Sequence, residues 1–418
     1  MTVESRPATL AIDGGVPTRT RNWLTYDTGD AYVAEEDIAA ALRALRSRRY
    51  FRYDSRAHGE TETGALESAL CTYFGSGHAL ACASGTAALT LSLLALGLPP
   101  GSPVACPAFT FAATPSAILL AGHRPVFVEC DENLHLDVAD LRARMPGVRA
   151  IVPVHMRGFA SDMPAICSLA TEFGVPVVED AVPALGVRLH GRLLGTWGEF
   201  GAFSTQSDKS LNTGEGGFLV TDDPERYARA VVYSGAYEGR MSRHFTDPPA
   251  VDDLALPIFS MRMDEIRAAL AGAMLARLPD RLAAHRRNYD RVAAGLVGLP
   301  GVAVRRPVAD GAYLGEALLF RLPGVPPEAV CWFAAALRAE GICARALGDP
   351  VDRNVRAFWN WRFLFPDAES ARAAYPVTAR ALAETIDVPL SANLTGADCD
   401  ELVDIVAKVA AALPGRFR

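Results

Sequence analysis

The sequence lacks the features of a secreted, metal-binding or nucleic-acid-binding protein. Its net charge of -7 and pI near 5.7 give no basic surface for a nucleic acid. Glu4 and Arg6 interrupt the N-terminus where an export signal would be apolar. The eight cysteines have neither zinc-ligand nor redox-pair spacing (71, 82, 106, 130, 167, 331, 343, 399). We therefore expect a cytoplasmic protein with reduced cysteines, no metal and no nucleic-acid partner.

Charge is also absent from one long internal stretch. Residues 79–122 contain no Asp, Glu, Lys or Arg. Glycines and prolines divide this stretch into pieces too short to cross a bilayer as helices. It therefore predicts a buried core, and we expect no membrane partner.

Strands and helices alternate through this core and beyond it. The pattern predicts strands at 78–83, 104–106, 125–129, 150–154 and 175–179, and helices at 86–98, 112–121, 138–144 and 163–173. Such alternation implies crossover connections and a mostly parallel sheet covered by helices on both faces. Ligands of such sheets bind beyond the carboxyl ends of the strands.

The length of the chain, 418 residues, favours two domains. We expect an N-terminal arm and a large α/β domain in residues 1–255, and a linking helix and a smaller α+β domain in residues 256–418. The smaller domain has strand patterns at 301–304, 317–320 and 341–344, and helical patterns at 327–340, 368–385 and 397–413.

Three segments of the chain have less regular patterns. Residues 10–23 have neither a helix nor a strand period, and they predict an arm that lies on the body of the chain or on a partner subunit. Ile38, Leu42 and Leu45 mark one apolar face of a helix. The charged, proline-rich residues 236–257 predict a mobile loop or a domain junction.

Lys209 lies in an unusual setting, the segment GAFSTQSDKSLNTGEGG at 201–217. Small, hydroxyl and glycine residues there predict a strand, a tight loop and a second strand, with torsions and close approaches that a Cβ would forbid. A partly desolvated lysine on such a loop favours the neutral amine, which is a nucleophile toward an aldehyde. A surface lysine in a glycine-rich turn fits the same pattern.

Other residues at strand ends suit one cofactor. The turn SGT at 84–86 precedes a helix, so it suits a phosphate, although Ser84 could simply be an N-cap. Asp180 follows an apolar strand and needs a partner, which could be a pyridinium N–H, a helix N-terminus or a salt bridge. Phe111 could stack on a ring or pack in the core, and Ser204 could add a hydroxyl to the phosphate. Together with Lys209, these residues suit pyridoxal phosphate.

Six segments resemble the fold-type-I pyridoxal-phosphate aminotransferases of the DegT/StrS-like family, which make amino sugars and aminocyclitols. The segments are SGTAAL (84–89), PAFTFAAT (107–114), PVHMRG (153–158), VVEDAVPALG (177–186), FSTQSDKSLNTGEGG (203–217) and FSMRMDEIRAAL (259–270). The resemblance implies PLP fold type I and an aminotransferase of antibiotic-type secondary metabolism. Glutamate or glutamine is the implied amino donor, and a ketone on a sugar or cyclitol the implied acceptor.

The resemblance also implies the roles of individual residues. By it, Lys209 forms the Schiff base with the cofactor and moves the substrate proton, and Asp180 contacts the pyridine nitrogen. The other implied cofactor contacts are the ring stack of Phe111 and the phosphate contacts of Gly85, Thr86, Ser204 and, from the neighbouring subunit, Ser260. A homodimer with shared active sites follows from the last contact.

Two residues depart from the family's pattern. Pro183 stands where the family usually has Gln or His near the cofactor ring, and Ser260 stands where it tends to have Asn. The alternatives left open are a pyridoxal-phosphate enzyme of another outcome (decarboxylation, elimination or aldol-type chemistry) and a binding protein without turnover.

His155 and Arg157 follow a predicted strand end and are candidate substrate-binding residues. An arginine at this position could grip a carboxylate with two hydrogen bonds. An exposed structural arginine fits the same pattern.

Overall fold

The computed structural model describes residues 9–24 and 32–417. Its helices are α1 (Glu35–Ser47), α2 (Glu62–Phe74), α3 (Gly85–Ala95), α4 (Ala113–Leu120), α5 (Val138–Arg144), α6 (Met163–Phe173), α7 (Pro224–Ser234), α8 (Glu265–Leu296), α9 (Pro327–Ala339), α10 (Ala368–Ala374), α11 (Pro376–Ala383) and α12 (Gly396–Ala412). Short 3-10 helices lie at Ala11–Asp13, His58–Glu60, Met156–Gly158, Arg240–His244, Phe358–Asn360 and Leu413–Gly415. Within the described ranges, no helix combines the length and the apolar run needed to span a membrane.

The strands are β1 (His78–Cys82), β2 (Pro103–Pro107), β3 (Arg124–Val128), β4 (Ala150–Ile151), β5 (Val178–Asp180), β6 (Arg188–Leu189), β7 (Arg192–Leu193), β8 (Phe200–Ser204), β9 (Gly217–Thr221), β10 (Ala303–Val304), β11 (Ala317–Arg321), β12 (Arg345–Ala346) and β13 (Thr385–Pro389). Seven of them form one sheet in the order β3-β2-β4-β5-β8-β9-β1, in which parallel bridges from Ile151 and Val154 join β4 to β5. All neighbours are parallel except those of β9, which is antiparallel to β8 and β1. The prediction of a mostly parallel sheet is therefore confirmed.

Helices cover both faces of this sheet because successive strand residues point to opposite sides. In β1, Leu80 and Cys82 belong to the core formed with α3, α4 and α7. Ala79 and Ala81 belong to a second core, formed with α2 and α8. A strand buried on both faces has no polar alternation, which explains the charge-free stretch in the sequence.

The small domain has an antiparallel sheet in the order β10-β11-β13-β12. The second half of α8 packs with α9 and α12 against β11 and β13 in one apolar core. The helical pattern at 368–385 predicts a break or kink at Pro376, and this break is confirmed, since α10 and α11 are separated at Tyr375. The predicted end is wrong by one residue, because Thr385 belongs to the central strand β13.

The described arm, residues 9–24, packs on the small domain of its own chain. Trp23 lies in that domain's core, and its indole N–H donates a 2.8 Å hydrogen bond to the backbone oxygen of Pro389. Arg19 is buried and pairs with Asp398 at 2.9 Å. The arm therefore gives no support to a partner subunit, and the domain division at residue 255 stays a prediction.

Residues 236–257 are anchored to the large domain. The buried ring of His244 bonds the hydroxyl of Tyr53 through Nε2 (2.9 Å) and that of Tyr227 through Nδ1 (2.8 Å). The charged and proline-rich segment is therefore attached to the large domain at His244, and its place as a domain junction stays a prediction.

Candidate active site

A cavity of about 390 Å³ lies at the carboxyl ends of the parallel strands. Each strand of the sheet's centre delivers a predicted residue to it, either at its end or in the loop that follows. The structure brings seven of the nine predicted site residues to the cavity wall: Gly85, Thr86, Phe111, Arg157, Asp180, Ser204 and Lys209. His155 and Ser260 are not on this wall.

Lys209 lies in a tight loop between β8 and β9. The loop is closed by backbone hydrogen bonds, including Lys209 N–H to Gln206 O at 2.8 Å. Gly216 has a φ of 153°, and a Cβ there would lie 2.4 Å from Thr205 Oγ1, so this position requires glycine. The predicted strand, loop and strand are confirmed, and the lysine side chain is only 22% exposed.

Lysine is scarce in this protein, so few other side-chain amines could take the role expected of Lys209. The chain contains two lysines, and the other, Lys408, lies on α12 and pairs with Glu340 Oε1 at 2.7 Å. The nearest carboxylate to the Lys209 amine is Asp208, whose Oδ1 lies 3.5 Å away. Lysine scarcity is a signal in the sequence that would have strengthened the interpretation of this segment.

The turn at 84–86 combines a helix cap with an anion site. Ser84 Oγ accepts the backbone N–H of Ala87 at 3.0 Å, so the N-cap interpretation of Ser84 is confirmed. A Cβ on Gly85 would lie 2.9 Å from the Cβ of Ser204 and 3.1 Å from Val182, so glycine permits this close packing. The remaining N–H groups and the dipole of α3 favour an anion beside Ser204.

Asp180 ends β5 as a buried carboxylate that is 5% exposed. Its Oδ2 accepts the hydroxyl of Thr114 at 2.7 Å, and its Oδ1 accepts the N–H of Val182 at 3.3 Å. Burial raises the pKa of Asp180, and these two donors offset only part of that rise. No cation of the described chain pairs with it, so the salt-bridge alternative is not found. A protonated pyridine nitrogen fits this uncompensated charge.

Phe111 is open to the cavity. Its side chain is 47% exposed, and the guanidinium carbon of Arg356 lies 6.0 Å from the ring centroid. A core aromatic would be buried, so the core interpretation is wrong for this residue. An exposed ring at the cavity wall can pack against a planar ligand.

Arg157 is buried at the cavity wall, so it is not the exposed arginine of the alternative interpretation. Its guanidinium donates to Asp387 Oδ1, on β13, at 2.7 Å. Its φ of 57° lies in the left-handed region, which residues with a Cβ seldom adopt. The small domain therefore contacts the large domain through this arginine.

His155 and Ser260 occupy other places. The His155 ring is fully buried, with Nε2 3.1 Å from Glu179 Oε2 and Nδ1 accepting the N–H of Ser161 at 3.1 Å. Both ring nitrogens are thus engaged away from the cavity. Ser260 is exposed and accepts a 3.0 Å hydrogen bond from Arg262.

The sequence interpretation missed the cavity residues Glu316 and Arg356, and also Thr114, which donates to Asp180. Thr114 stands in the segment PAFTFAAT, and its position after a strand end was an available signal. Glu316 and Arg356 come from the small domain, where no local pattern distinguishes them. Their approach to the cavity depends on how the two domains pack.

The fold and this cavity together define a fold-type-I pyridoxal-phosphate-dependent enzyme. The sheet order and crossovers place a buried carboxylate, an anion turn, an open aromatic ring and one amine around a space that fits the cofactor. Asp180 would hold the pyridine nitrogen, the turn at 84–86 the phosphate and Phe111 the ring.

The chain belongs to the DegT/DnrJ/EryC1/StrS aminotransferase family, whose profile matches residues 33–407. The predicted class, a transferase of amino groups, and its cofactor, pyridoxal phosphate, are thereby confirmed.

Individual relatives agree over most of the chain. A UDP-N-acetyl-3-dehydro-α-D-glucosamine 3-aminotransferase from Acidithiobacillus ferrooxidans is 32% identical over 335 residues, or 79% of this chain and 84% of that protein. A crystal structure of 3-amino-5-hydroxybenzoic acid synthase has a TM-score of 0.79 and 25% identity, and covers 94% of this chain and 99% of that one. DesV from S. venezuelae, solved with a ketimine intermediate, has a TM-score of 0.77 and 28% identity, with the same coverage.

Asp180→Asn should weaken cofactor binding without destabilising the fold. Burial raises the pKa of Asp180 in the folded protein. The folded apoprotein therefore loses stability as the pH rises and this carboxyl ionises. The amide can donate to Thr114 and accept from Val182 without a charge. In thermal melts at neutral pH, the variant apoprotein should be at least as stable as the wild type, and this advantage should vanish in acid.

The same variant should bind pyridoxal phosphate about tenfold more weakly, because a charge-assisted hydrogen bond is replaced by a neutral one. It should also lose most of its turnover. Titration of the cofactor absorbance measures the affinity. A destabilised apoprotein with unchanged cofactor affinity would show that Asp180 is structural.

Proposed function

We propose that this protein transfers an amino group from glutamate or glutamine to a ketone on a sugar, a cyclitol or a related biosynthetic intermediate. The observation that carries the proposal is the convergence of Lys209 and Asp180 on one cavity beside an anion-binding turn. The names of the relatives support a keto-sugar or cyclic acceptor, since they include an aminotransferase for a dehydroglucosamine nucleotide.

Lys209 has two roles in this proposal. It anchors the cofactor covalently, and its released amine carries the proton from the substrate Cα. Bound pyridoxal phosphate supplies the aldehyde that takes up the amino group and the ring that withdraws electrons from Cα. Asp180 would keep the ring nitrogen protonated, Phe111 would support the ring, and Ser204 would join the turn at 84–86 in holding the phosphate.

Arg356 is the favoured partner for the carboxylate of the amino donor. It lines the cavity beside Phe111, and no carboxylate of the described chain pairs with its guanidinium. Arg157 is already paired with Asp387, so its role is to join the small domain to the cavity wall. Gln206 lines the cavity together with Pro183, so its amide is available for the ring contact that proline cannot make.

Borohydride reduction tests the anchor directly. The reduced holoenzyme should carry the cofactor on a single peptide that contains Lys209, and Lys209→Ala should lose turnover while still binding pyridoxal phosphate noncovalently. Lys408→Ala is the matched control, since it removes the only other lysine and should leave labelling unchanged. Cofactor found on Lys408, or on the N-terminal amine, would contradict the assignment.

Absorbance distinguishes the proposed reaction from its alternatives. Glutamate or glutamine should convert the aldehyde form of the cofactor to the pyridoxamine form in the wild-type enzyme. Consumption of the amino acid with no pyridoxamine form would indicate decarboxylation, elimination or aldol-type chemistry. Absence of any cofactor band would indicate a binding protein without turnover.

We propose that the active protein is a homodimer with shared sites. Ile38, Leu42 and Leu45 of α1 predicted an apolar face, yet each is 42–43% exposed, and alanines such as Ala40 and Ala44 make the contact with α8 instead. An apolar helix face left open in this way is typical of an interface. We refer to Ile38, Leu42 and Leu45 as the α1 apolar face.

The α1 apolar face continues toward Ser260. The hydroxyl of Tyr50 donates to Leu45 O at 3.1 Å, and the ring centroid of Phe51 lies 5.6 Å from the guanidinium carbon of Arg262. Arg262 donates in turn to the exposed Ser260. A partner seated on this surface would therefore bury Ser260, which supports the proposal that Ser260 reaches the other subunit's phosphate site.

We also propose that the protein is cytoplasmic.

Leu42→Asp should dissociate the dimer without unfolding the subunit, because the residue is exposed in the monomer but would bury a charge in the dimer. Sedimentation velocity of the holoenzyme measures the loss. Arg43→Asp, on another exposed face of α1, is the control and should stay dimeric. A monomeric wild type, or a variant that dimerises normally, would contradict the proposed interface.

Complementation tests whether the sites are shared. Lys209→Ala subunits mixed with subunits altered at Ser260 and Arg262 should recover about a quarter of wild-type activity, because half the dimers are mixed and each has one intact site. No recovery after demonstrated subunit exchange would refute shared sites.

A further inference from the structure

Glu316 is a buried carboxylate to which the proposed amino transfer assigns no role. It directly precedes β11 in the small domain, is 6% exposed and lines the cavity with Lys209. Its backbone oxygen accepts the N–H of Leu390 at 2.8 Å, which fixes its position at the sheet edge. Within the described ranges, its carboxylate has neither a hydrogen-bond donor nor an ion-pair partner.

The cations around Glu316 are engaged elsewhere. Arg157 donates to Asp387 at 2.7 Å, and Arg281 donates to Ser210 O at 2.7 Å. Burial raises the pKa of Glu316, and the charges of Lys209 and the two arginines offset part of that rise from a distance. A buried carboxylate without hydrogen bonds is costly, so a partner from outside the chain would remove a real penalty.

The cofactor is a poor candidate for this partner. Within one subunit, every group assigned to the cofactor lies between residues 84 and 209, and Asp180 is assigned to the ring nitrogen. The carboxylates of the amino donor are poor partners, because Glu316 would repel them and Arg356 can donate to them instead, and the donor's α-amine is required at the reacting aldehyde beside Lys209. The substrate left is the acceptor of the amino group.

We propose that Glu316 is the specificity-determining residue for the acceptor, and that its carboxylate accepts hydrogen bonds from hydroxyl groups beside the reacting ketone. This inference rests on the proposed amino transfer. A polyhydroxylated acceptor satisfies the buried carboxylate when it binds. A ketone without hydroxyls leaves that carboxylate buried and unpaired in the complex, so the site discriminates against it.

The test uses two cyclic ketones on the pyridoxamine form of the holoenzyme, in single turnovers followed by the return of the aldehyde absorbance. The probes are scyllo-inosose, which carries hydroxyls around the ring, and cyclohexanone, which carries none. The wild type should react faster with scyllo-inosose. Glu316→Gln should lower that rate constant by about 10- to 100-fold, since a hydrogen bond to a charged group is lost. It should leave the cyclohexanone reaction and the glutamate half-reaction within about twofold.

Two further measurements exclude a merely structural role. Apoprotein melts should show Glu316→Gln and Glu316→Leu at least as stable as the wild type, because each removes an unpartnered buried charge. Glu328→Gln, an exposed residue of α9, makes the same chemical change as a control and should alter neither the rates nor the melts.

Specific outcomes would overturn the proposal. One such outcome is a wild type that shows no preference for scyllo-inosose or reacts with neither ketone. Another is a Glu316→Gln variant whose rate constants fall equally with both ketones. A destabilised Glu316→Gln apoprotein would show instead that the carboxylate serves the fold. Failure of the proposed amino transfer is seen separately, since the wild type would then form no pyridoxamine with glutamate or glutamine.

Discussion

A buried carboxylate without a cation is the constraint on which this site depends. Asp180 ends β5 in the centre of the sheet, and two neutral donors, from Thr114 and Val182, hold it in place. These donors fix the geometry and leave the charge uncompensated, so the apoprotein bears a cost that a cationic ring removes. A protonated pyridine nitrogen bound at this position would pair with the carboxylate and remove that cost.

The close packing of α3 against β8 then fixes where the anion-binding turn lies. Gly85 allows the first turn of α3 to approach Ser204, and Ser204 is the last residue of the strand that leads to Lys209. One glycine thus ties the anion turn and the lysine loop to the same strand end. The groups proposed to hold the ring and the phosphate of the cofactor thus stand at the ends of regular elements, whereas the amine of Lys209 stands on a loop.

Sequence patterns predicted the large domain well because its signals are local. Strands buried on both faces left a charge-free stretch, and Gly85, Asp180 and Lys209 each stand at or just beyond a strand end. The α1 apolar face was predicted correctly as a pattern, but its residues contact solvent rather than the core, since periodicity does not identify what covers a face. The strand β13 carries Asp387 among apolar residues, and its place at the centre of a sheet comes from pairing with β11 and β12, which no local pattern encodes. Glu316 and Arg356 were missed for the same reason.

The two domains supply different groups to the cavity. The large domain supplies the groups suited to the cofactor, and the small domain supplies Glu316, Arg356 and, through Asp387, the support of Arg157. The small domain joins the sheet through α8 and through buried pairs such as Arg157 with Asp387, so its own loops and sheet edges can vary without disturbing β5 or the turn at 84–86. Substitutions on the small-domain side can therefore reshape the cavity while β5 and the turn at 84–86 keep their places.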